Sequence, residues 1–210
     1  MGAQDRIEIE VRGRGGHASA PHLCVDPVFI GSQIVTALQA IVARSTDPFH
    51  AVVVTISVFQ AGTVGNVIPD NAILRGTIRT LTREDRERVH EQVRAIAEGI
   101  ASAHGGTASV VIEPGYPVLV NDDDAAEFVR RVGADIAPKG CSEFQPILGA
   151  EDFAYYAEEC PAAFWFLGLR DGSKPHPNWH EATFDFNDAA IPYAIRMHVE
   201  LARRFAASER

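Results

Sequence analysis

Cysteine is scarce in this chain, with three in 210 residues. Cys24, Cys141 and Cys160 are an odd number and form no Cys-x-x-Cys pair, which argues against a disulfide framework and predicts three free thiols. Basic residues are also few: 19 Lys and Arg stand against 28 Asp and Glu, for a formal net charge of -9. Without a cluster of Lys and Arg the chain lacks the electrostatic footprint for nucleic acid or an anionic membrane surface, and neither is expected as a partner. Long apolar runs and a signal-peptide core are missing too, so no membrane span is expected and the reading is a cytoplasmic protein. No Gly-x-Ser-x-Gly elbow, Walker loop or His-Glu-x-x-His is present, which removes the common single-motif enzymes.

What is there suffices for a packed core. The apolar share is 46% with 22% charged residues, ordinary for a globular chain of one large or two modest domains. Ile7, Ile9 and Val11 alternate with charged residues as in a strand with one buried face. Asp26-Pro27 then reads as a helix N-cap followed by the first helical position, and Ile30, Ile34, Leu38 and Ile41 recur at helical spacing. Strands are predicted over Val52–Val58 and Ala72–Thr80. Thr82 with Asp85 resembles a capping box, and Val89, Val93, Ile96 and Ile100 form a second stripe stopped by Gly105-Gly106. Ala108, Val110 and Ile112 close with a fourth strand. The order β-α-β-β-α-β is the split βαβ, ferredoxin-like pattern: a four-stranded antiparallel sheet with both helices on one face. A free sheet edge or helix in such a unit is a ready dimer interface.

Beyond Gly115 the pattern changes. A helix is predicted after Asp122–Asp124 with Phe128, Val132 and Ile136 on one face, and a closing helix from Asn187 with Ile191, Ile195 and Phe205 inward. Ala163–Leu167 is a continuous apolar run, read as a strand covered on both faces, with an exposed apolar surface expected around Phe164–Leu167. One such strand with two or three helices does not complete a layered domain, so this half is expected to dock on further structure.

The chemical candidates lie in loops. Gly13–His22 packs glycines and small residues around two histidines, a composition that allows close backbone approach. Gly13-x-Gly15-x-x-Ala18 formally matches a dinucleotide fingerprint, but Pro21 and a helix starting only near Pro27 break the required strand-turn-helix geometry. Cys24 beside His22 reads as a small buried thiol rather than a nucleophile. His176 and His180 sit beside the acidic-aromatic run Phe184–Asp188, where imidazole could hold a divalent metal or simply be solvated. Glu151-Asp152 reads equally as helix-start acids, and Arg75 and Arg79 as a solvated sheet face. Against those bland readings, His17, Asn66 and Arg79 are expected to converge near loops and strand ends of one small domain, a set suited to gripping a carboxylate and an oxyanion.

Five ordered motifs cover nearly the whole chain: Gly13-Arg-Gly-Gly-His17-Ala-Ser-Ala-Pro-His22 with Asp26-Pro27, Asn66-Val-Ile-Pro69, Gly76-Thr-Ile-Arg79, Gly149-Ala-Glu-Asp-Phe153, and His180 ahead of Phe184-Asp-Phe186. Together they resemble the dizinc N-acyl-amino-acid amidohydrolases, a metallopeptidase family that includes hippurate hydrolases and auxin-conjugate hydrolases. The resemblance implies a lid or dimerisation domain over residues 5–115, and the C-terminal part of an α/β catalytic domain over residues 116–210. It further implies a homodimer through the lid and an N-acyl or N-aroyl amino acid as substrate. His17 would steady the oxyanion across the dimer, Asn66 and Arg79 would bind the substrate, and His180 would be a metal ligand. The complete enzyme would use two divalent ions, zinc with manganese, cobalt or nickel as alternatives. The family's other metal ligands and its general base have no counterpart here, so weak or no metal binding and no activity are expected of the chain by itself. The rival reading is a non-catalytic dimerisation or small-molecule-binding module on the same sheet.

Overall fold

The structure is a computed structural model that describes residues 1–137, 140–170, 172 and 177–208. The chain divides into two compact units, Met1–Leu119 with Pro146–Tyr155, and Val120–Gln145 with Tyr156–Arg210.

The first unit is built on β1 (Ala3–Arg12), which buries Ala3, Asp5, Ile7, Ile9 and Val11 and turns the alternate residues outward. A two-residue strand β2 (Gly16–His17) and a 3-10 turn, Pro21–Leu23, lead into α1 (Pro27–Arg44). The side chain of Asp26 accepts from Val28 N–H at 2.8 Å, satisfying one of the free donors at the helix start, while Pro27 needs no donor there. Next come β3 (Val52–Ala61), the two-residue β4 (Val67–Ile68), β5 (Asn71–Thr80), α2 (Arg83–Ala103) and β6 (Thr107–Pro114). Thr82 caps α2 by accepting from Asp85 N–H at 3.1 Å, and its hydroxyl donates to the Asp85 carboxylate at 2.8 Å. The helix stops where Gly105 takes φ 77°, a left-handed conformation that suits glycine.

The four long strands pair antiparallel in the order β3-β5-β1-β6. Ile30, Ile34, Leu38 and Ile41 of α1 and Val89, Val93, Ala97 and Ala101 of α2 share one core with Ile7, Ile9, Val11, Leu74 and Ile78. Each large aliphatic side chain buried there contributes about 1.5–3 kcal/mol. With 18 residues and mean hydropathy 1.3, α1 is long and apolar enough to cross a membrane by length and composition, which the sequence reading had not credited. Its Ile30, Ile34, Leu38 and Ile41 are nevertheless satisfied inside this sheet core. Gly76 faces Ile56 in the β3–β5 ladder, beside a register shift between Ile56 and Val58; a Cβ at Gly76 would overlap the Thr55 carbonyl. The glycine of the Gly76–Arg79 motif thus has a packing reason.

In the second unit, α3 (Asp123–Ala134) is capped by Asp122, which accepts from Ala125 N–H at 2.9 Å. The short α4 (Ala154–Glu159), which begins in the first unit and ends in the second, precedes the run 161–170, and α5 (Ile191–Ser208) follows a 3-10 turn capped by Asn187. Val132, Ile136 and Met197 form a small core with Phe128, Val129, Trp165 and Leu201 packed on it.

Two expectations are corrected here. Ala163–Leu167 is not a strand: among the described residues no extended segment pairs with it, and a strand exists only through its ladder. The Asn121 side chain instead accepts from Phe164 N–H at 2.8 Å and donates to Phe164 C=O at 2.9 Å. The inward face of α5 is also different, because the small core is met by Met197 and Leu201, one turn apart. Ile191, Ile195 and Phe205 are 43%, 60% and 57% exposed, although the Phe205 ring still meets Phe128 edge-on. The apolar exposure expected around Phe164–Leu167 is confined to Phe166, with its neighbours half-buried.

Candidate functional site

The glycine-rich loop lies against the Asn66–Asp70 segment almost residue by residue. Gly16 pairs with Ile68 and His17 with Val67 in the β2–β4 ladder, Ala18 N–H donates to Asn66 C=O at 3.1 Å, and Gly13 N–H donates to Asp70 C=O at 2.8 Å. A Cβ at Gly13 or Gly15 would overlap the Val25 or Ile68 carbonyl, so the loop can sit this close only as glycine. The packing brings His17, on β2, beside Asn66, in the turn just before β4, with His17 exposed.

The His17 ring has a defined tautomer. Ser19 N–H donates to Nδ1 at 3.1 Å, and the Ser19 hydroxyl lies 2.8 Å from the same nitrogen. A backbone amide can only donate, so Nδ1 is the acceptor and a neutral ring carries its proton on Nε2. That leaves an N–H donor on an exposed imidazole, the chemistry needed beside a developing oxyanion.

Arg79 does not join this pair. It lies opposite Gln4, eight residues along β5 from Asn71, which faces Arg12 just before the glycine loop. At about 3.3 Å per residue that is roughly 26 Å, too far for one small ligand to span within one chain. The expected convergence of His17, Asn66 and Arg79 is therefore corrected: pattern places them in one domain, but the register puts them at opposite ends of it. Arg79 is half-buried, and its Nη1 is buried with no hydrogen-bond partner among the described residues. Desolvation lowers its pKa, and the carboxylate of Asp5 works in the opposite direction. Arg75, by contrast, is held by Glu8 at 2.5 Å and Gln60 at 3.3 Å, as a solvated sheet face requires.

At the Arg79 end, Gly2 N–H donates to the carbonyls of Ile147 and Gly149, both at 2.9 Å, which seats the Gly149–Phe153 motif beside the start of β1. Glu151 and Asp152 lead into α4, where Ala154 N–H donates to Glu151 C=O and Tyr155 N–H to Asp152 C=O. On the core face, Asp5 is 1% exposed and accepts from Arg86 at 2.9 and 2.5 Å and from Gly115 N–H at 3.1 Å, with His90 Nε2 at 2.6 Å. Burial alone would raise its pKa; the hydrogen bonds from His90, Arg86 and Gly115 overcome that and hold the carboxyl well below the usual range. Asp5 carried a sequence signal that was passed over: a charged residue in the apolar phase of β1. Ser19 and Asp70 carried none beyond their place in a loop and a turn.

His180 sits in an exposed turn with φ 64°, the left-handed region that a non-glycine residue seldom occupies. His176 lies outside the described residues. Among the described residues no three His, Cys, Asp or Glu side chains come together to hold a metal ion, so these residues do not by themselves fit a metal centre. The three cysteines are free, and Cys24 is half-buried with its thiol 3.7 Å from Ala20 C=O.

This geometry has close counterparts. The chain is 37% identical over 206 residues to the N-acetylcysteine deacetylase of Bacillus subtilis, covering 96% of this chain and 52% of that protein. It is 33% identical over 207 residues to the hippurate hydrolase of Campylobacter jejuni, covering 98% and 53%. It superimposes with a TM-score of 0.78 and 32% identity on a Bacillus subtilis dinuclear metal binding peptidase of the M20 family, over 96% of this chain and 49% of that one. The chain thus spans about half the length of the curated relatives it matches. The family description "Peptidase dimerisation domain" matches residues 5–105, a stretch that includes His17, Asn66 and Arg79. Residues 5–105 are thus identified as an M20 peptidase dimerisation domain, and the chain as a whole is similar to amidohydrolases and peptidases of that family.

Proposed function

We propose that this chain supplies the dimerisation lid and the C-terminal part of the catalytic domain of a metal-dependent amidohydrolase that cleaves N-acyl or N-aroyl amino acids. The observation that carries the reading is the His17 ring, exposed on β2 next to Asn66 with Nδ1 occupied by Ser19, which leaves Nε2–H to steady a carbonyl oxygen as it gains charge. The names of the relatives, a deacetylase and a hippurate hydrolase, support the same substrate class. Arg79 is assigned to a substrate carboxylate. Since it lies far from His17 in one chain, a shared site draws His17 and Asn66 from one copy and Arg79 from another.

The lid is a split βαβ unit whose edge strand β3 is paired on one side only among the described residues. Val53 and Phe59 on that strand, with Phe49 before it, are exposed apolar residues that a homodimer contact would cover. His180 would be one metal ligand of the complete enzyme, whose two divalent ions would activate water and polarise the amide carbonyl. The remaining ligands and the general base come from outside the described residues, and the chain alone is inactive.

The test is complementation with a separately expressed N-terminal half of the hippurate hydrolase relative, assayed on hippurate and N-acetyl amino acids. Metal-dependent release of the free amino acid, lost in His180→Ala, supports the reading. Amidase activity in the 210-residue chain alone would overturn the proposed division of the site. Complementation that His180→Ala leaves untouched would favour the non-catalytic module instead.

A further inference from the structure

We propose that Asp70 is a positioning residue for the His17–Asn66 pair, a role that rests on reading that pair as functional. Asp70 follows Asn66-Val-Ile-Pro69 in the short link between β4 and β5 and grips the glycine loop at two points. Its Oδ1 accepts from Gly15 N–H at 2.8 Å and its backbone carbonyl accepts from Gly13 N–H at 2.8 Å. On the far side of the loop, Arg14 and Val25 exchange two hydrogen bonds, each 2.9 Å. Residues 13 to 15 are therefore held from both sides, and the chain leaves that clamp directly into Gly16 and His17.

The contacts that place His17 beside Asn66 are otherwise weak. The β2–β4 ladder is two residues long, both strands are largely solvent-accessible, and so short a pair has little stability of its own. The Asp70 carboxylate adds a charge-assisted hydrogen bond to a backbone amide at the base of that ladder, about twice as strong as a neutral one. Nothing in the turn itself requires the interaction, because Asp70 reaches across to another segment, 55 residues away in sequence, rather than closing its own loop.

The test uses the full 210-residue chain and does not depend on activity. Amide exchange and the 15N tautomer signature of the His17 ring are compared in the wild type, Asp70→Ala and Asp70→Asn, the last keeping an oxygen acceptor for Gly15. We expect Asp70→Ala to speed exchange at Ala18, which does not touch Asp70, by roughly tenfold, the scale of one charge-assisted hydrogen bond. The same variant should shift His17 from a single Nε2–H tautomer to a mixture, and Asp70→Asn should restore most of both signals. Faster exchange at Gly15 alone, with Ala18 and His17 unchanged, would overturn the positioning role. Equal loss of protection at core residues such as Ile34 and Leu74 would overturn it too, by showing a general structural role. Failure of complementation with an intact Asp70 effect would count against the proposed function and leave the loop geometry standing.

Discussion

Ser19 N–H donates to Nδ1 of His17 at 3.1 Å, so the ring that projects from β2 keeps its proton on Nε2. In the complemented enzyme, His17→Ala is expected to lower kcat roughly 100- to 1000-fold, the usual effect of removing one oxyanion donor, with little change in KM. Steady-state kinetics on hippurate checks this, and an equal rise in KM with kcat intact would show a binding role instead.

Metal affinity should divide along the same line as activity. The 210-residue chain is expected to lose zinc to a competing chelator during equilibrium dialysis, since the described residues bring no three ligands together. Stoichiometric zinc retained by the chain alone would contradict this.

The Asp5 cluster predicts an acid limit to stability. Its folded-state pKa lies below the unfolded value, so its contribution is fully present above the ordinary carboxylate range and is lost as pH falls toward the depressed value. Asp5→Asn leaves the half-buried Arg86 beside a neutral partner and should cost about 2–4 kcal/mol at neutral pH, toward the lower end for breaking a buried pair. Denaturant melts of both proteins should converge as the pH is lowered below about 4. A gap that stays constant into acid would show that packing, not charge, is responsible.

Gly76→Ala should destabilise the sheet by about 1–3 kcal/mol or more, because the added methyl meets the Thr55 carbonyl and the two strands must separate. Urea melts measure it, and a neutral result would mean that the β3 bulge absorbs the methyl.

The first half of the fold was legible because its signals are local. Asp26-Pro27 and Thr82 with Asp85 mark helix starts through hydrogen bonds made within a few residues, and Ile7, Ile9 and Val11 declare a buried face by alternation alone. Ala163–Leu167 and the inward face of α5, though not α5 itself, differ from the expectation because their state depends on which surfaces surround them, and hydrophobicity does not name a neighbour. The candidate site was partly legible. The composition of the glycine loop pointed to His17 and the Asn66–Pro69 motif to Asn66, whereas the distance to Arg79 is a matter of strand register, which a motif does not encode. Asp70 and Ser19 act through two hydrogen bonds each, which leave no pattern behind in the sequence.

Asn121 clasps Phe164 through both its carbonyl oxygen and its amide group. One side chain thereby imitates, at one residue, what an adjoining strand would do along several. The backbone N–H and C=O of Phe164 are thereby both engaged with no strand beside them. A strand arriving there would have to break these two side-chain hydrogen bonds before it could build a ladder on Phe164.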